Sequence, residues 1–211
     1  LEGSYSVSVA LTDRAGNTAN IGTEPIVIDT TLPVFSNISV SSDNAVRPGP
    51  ITLETESPVL AKNGDTVTVS FTATDIGSSG IATVSASLGG QAMTAVDTDG
   101  PSYSFTYAVS NMNISDGEAL LQFSATDNAG NLKYWQDSKW VTIDATAPGA
   151  QTNAQPNPAR IGNNIIYQAV FSEPVSNVTV VATHTNGTDE LALAINSIAS
   201  TNNLKIWSHK V

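Results

Sequence analysis

The chain carries two copies of one pattern: a stretch of period-two alternation ending in Asp-x-Ala-Gly-Asn, then a second stretch ending in Asp-Thr/Ala-Thr-x-Pro. The first copy is DRAGN at Asp13–Asn17 with IVIDTTLP at Ile26–Pro33. The second is DNAGN at Asp127–Asn131 with VTIDATAP at Val141–Pro148. A spacing of about 115 residues is far too long for a solenoid repeat and suits a tandem array of independent β-sandwich domains.

The flanking residues extend the repeat. Tyr5, Val7, Val9 and Leu11 alternate with small polar residues before DRAGN, as Ala119, Leu121, Phe123 and Ala125 do before DNAGN. A strand with one buried face needs that period of two. A third, partial copy aligns Val67, Val69, Phe71 and Ala73 with Ile165, Tyr167, Ala169 and Phe171, at an offset of about 98 residues. The repeat divides the chain into residues 1–32, the last two strands (F and G) of one domain; 33–147, a complete domain; and 148–211, the first strands of a domain whose second half is missing. Neither partial unit has enough β-surface to close a core alone. The two are complementary by repeat alignment. Either a longer parent chain supplies the absent strands covalently, or the leading pair of one chain completes the trailing sandwich of another.

Within the complete domain the punctuation by Gly, Pro, Asn and Asp predicts seven strands, the number of an immunoglobulin-like sandwich. They are A at Val34–Ser41, B at Asp65–Thr74, C at Ile81–Leu88, D at Gln91–Val96, E at Ser102–Val109, F at Glu118–Thr126 and G at Lys139–Asp144. On E, Tyr103, Phe105, Tyr107 and Val109 face inward. Between A and B, Asp43–Asn63 contains Pro48, Pro50 and Pro58, so it is an edge or a decorated loop, because proline cannot donate to a ladder.

TATDIGSSGI, SATDNAGN and VTIDATAP resemble the tandem bacterial Ig-like (Big-type) repeat domains of large cell-surface proteins and adhesins. The resemblance covers residues 33–148 and, more weakly, both flanks. It implies an extracellular, non-enzymatic stalk or spacer of a surface or filament-forming protein, sometimes stiffened by calcium, whose partners are neighbouring Ig-like domains of the same or an adjacent chain. The alternative is a module that binds a carbohydrate or a surface protein. The proline-rich stretch after strand A departs from the usual short module.

Composition fits that picture. Charged residues make up only 13% of the chain and cysteine is absent; about 100 residues can bury a sufficient core without disulfides. No stretch approaches the roughly 20 apolar residues of a membrane helix. The net charge of −11, with eight basic residues scattered singly, excludes an electrostatic footprint for nucleic acid or anionic lipid and makes cations the charged partners. Catalytic equipment is sparse. His184 and His209 both lie in the trailing unit, no cysteine can act as nucleophile, and no Gly-x-Ser-x-Gly elbow occurs. Sequons at Asn37, Asn113, Asn177 and Asn186 are no more than chance supplies in a chain this rich in Asn, Ser and Thr.

Two constellations remain. KYWQDSKW at Lys133–Trp140, between F and G, is either an exposed aromatic platform for stacking on sugar or a segment whose Trp140 begins strand G while Tyr134 and Trp135 cover the sandwich end; Trp207 is the third tryptophan. The acidic residues form the second. Strands B and F run in the same direction, so Asp75 and Asp127 end at one pole, where Asp29 arrives in the linker. Three carboxylates from three stretches suit a hard cation with oxygen ligands, and calcium fits better than zinc where cysteine and histidine are absent. Asp144 and Glu173 are the candidates for an equivalent site at the next junction. The simpler role for Asp13, Asp75 and Asp127 is to start turns by accepting backbone N–H bonds while Gly16 or Gly130 supplies positive φ. The two roles are compatible.

Overall fold

The computed structural model describes residues 2–47, 49–52, 57–77, 79–110, 112–155, 157–158, 160, 163–173, 175, 181–183, 190–192, 196–200 and 204–210. The fold is all-β, in two compact units, Leu1–Thr146 and Ala147–Val211.

The first unit begins with a hairpin of β1 (Gly3–Thr12) and β2 (Thr18–Ile28). An immunoglobulin-like sandwich follows: β3 (Val34–Ser42), β4 (Ile51–Thr52), β5 (Val59–Ala61), β6 (Thr66–Thr74), β7 (Ile81–Leu88), β8 (Gln91–Ala92), β9 (Thr94–Asp97), β10 (Ser102–Ala108), β11 (Gly117–Asp127) and β12 (Leu132–Ile143). One sheet runs β4-β3-β6-β10-β9 and the other β5-β12-β11-β7-β8. The inward positions of β6 and β11 meet in the core. Phe71 stacks on Phe123 with ring centroids 4.2 Å apart, and Phe35 meets both rings edge-on. Tyr103, Phe105 and Val109 are buried as the alternation on E predicts, with Tyr107 partly buried.

Three elements differ from the sequence-based reading. Strand G starts at Leu132, not Lys139, so KYWQDSKW lies within β12. The Asp127–Asn131 turn returns the chain at once, pairing Leu132 with Thr126, and a bulge opposite Ala119 and Leu121 breaks the alternation that would have marked the strand. Strand D is two pieces: β8 pairs with β7, the chain changes sheets at buried Met93, and β9 pairs with β10. The proline-bearing stretch between A and B supplies an edge to each sheet, β4 antiparallel to β3 and β5 parallel to β12. Edge positions are where a segment interrupted by proline can pair without breaking a ladder.

The β1–β2 hairpin repeats β11–β12 along the first strand and through the turn, with the bulge in β12 one residue longer than that in β2. Gly3 pairs with Ile28 as Gly117 pairs with Ile143, both glycines at positive φ (133° and 117°), and each hairpin has a bulge in its second strand. Before the first strand, Glu2 accepts the backbone N–H and hydroxyl of Thr30 and the hydroxyl of Thr31. Asp116 does the same with Ala145 N–H and Thr146. These bonds hold both carboxyls below the ordinary carboxylate range. The difference is burial: Val7, Val9 and Leu11 are 42%, 41% and 50% exposed, whereas Leu121, Phe123 and Ala125 are at 0%, 1% and 0%.

The second unit comprises β13 (Ala150–Gln155), β14 (Asn164–Phe171), β15 (Val181–Thr183), β16 (Glu190–Ala192), β17 (Asn196–Ser200) and β18 (Leu204–Lys210), in sheets β13-β14-β18-β17 and β15-β16. The four-stranded order matches β3-β6-β10-β9. Beside β15-β16 the described residues hold no counterpart of β11 and β12.

Candidate metal centre

Each DxAGN segment is a closed turn built by its aspartate. Asp127 Oδ1 accepts the N–H groups of Ala129 and Asn131 at 2.9 and 2.8 Å, and Oδ2 accepts the Asn131 amide at 2.8 Å. Asp13 repeats the pattern with Ala15 and Asn17. Gly130 and Gly16, at φ 94° and 90°, supply the left-handed step that side chains disfavour. The bonds from Asn17, side chain first, lower the pKa of Asp13.

The copies diverge in their surroundings. Asp13 is exposed, while Asp127 is buried at 2% exposure. At this pole the loop after β6 folds around its own aspartate: Asp75 Oδ1 accepts Gly77 N–H at 2.9 Å, and Oδ2 accepts Gly80 N–H at 2.7 Å and the Ser79 hydroxyl at 3.1 Å. Asn128 then ties that loop to the β11–β12 turn, donating its amide to the Ser79 and Gly80 carbonyls.

Asp29, from the linker after β2, inserts between these two loops. Its carboxylate accepts the Ser79 hydroxyl and N–H and the Thr31 N–H, and its main-chain carbonyl accepts the Asn131 amide at 3.1 Å. The Ser79 hydroxyl, then the Thr31 N–H, hold its pKa below the ordinary carboxylate value. A Cβ on Gly77 would collide with the Asp29 carboxylate. A bare glycine is required for that approach.

Carboxylate oxygens of Asp29, Asp75 and Asp127 therefore lie within 4.8 Å of one another, two of the residues buried and the third half-buried. Hydrogen bonds reach every one of the six oxygens but leave the charge uncompensated, and like charges this close raise each other's free energy. The ion pair found among the described residues, Lys62–Asp65 at 3.2 Å, serves a different cluster, in which buried Asp65 also accepts the Asn44 amide at 2.6 Å. Burial pushes the Asp65 pKa up, but the bonds from Asn44 and Lys62 outweigh it and the net shift is downward.

Asp144 and Glu173 fall in different compact units. Asp144 is exposed after β12, its N–H bonded to the Ala61 carbonyl, and Glu173 is half-buried after β14. Asn128 and Asn131 belong to the DNAGN motif, and Gly77 and Ser79 to TATDIGSSGI, but nothing in those motifs points to a contact with Asp29. The aromatic platform does not form. Trp140 is buried, and Trp135 is half-buried with its ring stacked on Phe123 at 4.6 Å, leaving Tyr134 exposed. His184, Asn177 and Asn186 lie outside the described residues. His209 and Trp207 are on β18, and Asn37 and Asn113 are exposed.

Sheet order, strand number and core thus define an immunoglobulin-like β-sandwich. Residues 1–30 match the family model of a bacterial Ig-like domain. No curated protein and no solved structure matches the chain. Residues 117–143 repeat the turn and the antiparallel pairing of the matched segment. No helix among the described residues is long and apolar enough to cross a membrane.

Proposed function

We propose that this chain is a stretch of an extracellular stalk: tandem, non-enzymatic Ig-like modules of a surface or filament-forming protein, whose linker is stiffened by calcium held between Asp29, Asp75 and Asp127. One observation carries the reading. A linker residue is buried in the pole of the next sandwich with its carboxylate within 4.8 Å of two others. A stalk transmits force through its linkers, and a spacer needs them stiff. Calcium takes six to eight oxygens at about 2.4 Å and tolerates irregular geometry, so three carboxylates supply much of its shell, and its two positive charges offset most of the cluster's negative charge. The dissociation constant of such a site sets the calcium level at which the linker stiffens. The carbohydrate-binding alternative loses its platform with Trp135 turned onto Phe123.

Small-angle scattering of the full chain with calcium and with chelator tests this. Calcium should narrow the distribution of interdomain distances, and the Asp29→Asn variant should not respond. Identical profiles for the unsubstituted chain in both buffers would leave the three aspartates with their turn-building role alone.

A further inference from the structure

The outer face of the β4-β3-β6-β10-β9 sheet is a lattice of hydroxyls. The register sets Ser36, Thr72 and Ser102 in one row and Ser39, Ser70 and Ser104 in the next, and Asp97 of β9 closes the second row. Phe71 and Tyr103, which alternate with these residues, are buried in the core. Both strands that flank the β6–β10 pair carry a bulge at this level, β3 between Ser36 and Ser39 and β9 opposite Ser104 and Phe105. A bulge re-aims a side chain. In β3 it presents exposed Asn37 at φ 51°, the one non-glycine residue with positive φ among the described residues. Such a backbone costs a side chain energy and recurs at ligand clamps. Between Asn37 and Asp97 lies a groove of about 330 Å³ over Ser70, Thr72, Ser102 and Ser104.

We propose that this groove binds a neutral sugar unit of a glycan. The lining selects that chemistry. No lysine, arginine or histidine lines the groove, and its one charged group is the Asp97 carboxylate. An anionic ligand is therefore repelled, the more so by a chain of net charge −11. No exposed apolar side chain lines it either, and an apolar ligand would take hydroxyls out of water without offering them partners. What fits is a ligand that donates and accepts many hydrogen bonds, as sugar hydroxyls do.

The bonds within the lining are slack. Ser70 donates to Ser104 and the Asn37 amide to Thr72, each at 3.3 Å, longer than the about 2.7–3.2 Å of good bonds. Asp97 Oδ1 accepts Asp99 N–H at 3.0 Å, and a carboxylate has further acceptor capacity on its second oxygen. Asn37 and Asp97 stand three strand spacings apart, about 14 Å, so they grip opposite edges of a ring lying over the hydroxyls. The volume is at the small end of ligand pockets, which suits one or two sugar units. The groove lies on the sheet opposite Trp135 and uses none of Asp29, Asp75 and Asp127, so it goes beyond the stalk reading and does not depend on calcium.

The test is proton–nitrogen NMR of the full chain, titrated to the solubility limit with cellobiose, maltose, lactose and N,N′-diacetylchitobiose, and with butylammonium as a cationic probe. At least one saccharide should give saturable shifts confined to amides of residues 36–39, 70–72, 95–97 and 102–104. The Asn37→Gly/Asp97→Asn variant removes both grips, while glycine keeps the left-handed step and asparagine keeps an acceptor for Asp99 N–H. It should melt as the unsubstituted chain does and bind at least about tenfold more weakly, since a charge-assisted bond and an amide bond are lost. Absence of saturable shifts with all the saccharides overturns the proposal. So does saccharide binding that survives the double substitution, or tighter binding of butylammonium at the same amides, which would make Asp97 a simple countercharge.

Discussion

Asn131 spans the two parts of the candidate site: its side-chain amide donates to the Asp127 carboxylate at 2.8 Å and to the main-chain carbonyl of Asp29 at 3.1 Å. The DxAGN turn is thereby a clamp on the linker. Its counterpart Asn17 makes only the turn bond among the side-chain bonds described, to Asp13 at 2.7 Å. Asn131→Ala should cost about 2–3 kcal/mol in urea unfolding, since a charge-assisted bond and a second bond are lost from a part-buried place. Exchange of the amides of residues 29–32 should accelerate with it. Asn17→Ala, in an exposed turn, should cost clearly less, and equal costs would show that Asn131 does not hold the linker.

The calcium reading predicts a shift in melting temperature that belongs to three side chains. Calcium should raise it in the unsubstituted chain and chelator should return it, because a ligand that binds only the folded state stabilises that state by mass action. In Asp29→Asn and Asp75→Asn the rise should shrink or vanish. Asp97→Asn, at an exposed position in β9, should keep it in full. A rise of equal size in all four proteins would place the cation elsewhere.

Acid should weaken the first compact unit in a defined direction. Asp29 and Asp65 both have folded-state pKa values below their unfolded ones. Their contribution is therefore complete above the ordinary carboxylate range and lost as pH falls through that range to the depressed folded values. Urea midpoints should be flat near neutrality and drop on acidification. Ser79 is the largest cause of the Asp29 shift, so Ser79→Ala should move the Asp29 carboxyl titration upward by carbon-detected NMR. An unmoved titration would remove Ser79 as its cause.

Equivalent positions in the two hairpins should differ widely in cost. Phe123 stacks between Phe71 and Trp135, at 4.2 and 4.6 Å, and Phe123→Ala should lose about 3–5 kcal/mol. Val9 occupies the same place in β1 but is 41% exposed. Val9→Ala should change stability by less than about 0.5 kcal/mol in dilute solution, as exposed substitutions do. Calorimetry of both variants would check this, and a large loss at Val9 would mean that its face is covered even in the dilute protein.

The repeat, the alternation of Tyr5 to Leu11 and of Ala119 to Ala125, and the Asp-x-Ala-Gly-Asn turns were legible in the sequence because each rests on contacts between near neighbours. A period of two and an aspartate that bonds residues two and four positions on leave a mark in consecutive letters. The all-β sandwich followed from the alternation and the turn residues between strands, and the meeting of Asp29, Asp75 and Asp127 from the direction of strands B and F. What tertiary structure decided was the placement of segments whose pattern a distant partner overrides. The bulge in β12 hid a strand start at Leu132, buried Met93 drew the chain from one sheet to the other, and Trp135 turned onto Phe123. Ser79, Gly77 and Asn131 belong there too. Their roles exist only because a linker residue about 50 to 100 positions earlier is brought against them, and no local signal in the sequence records that approach.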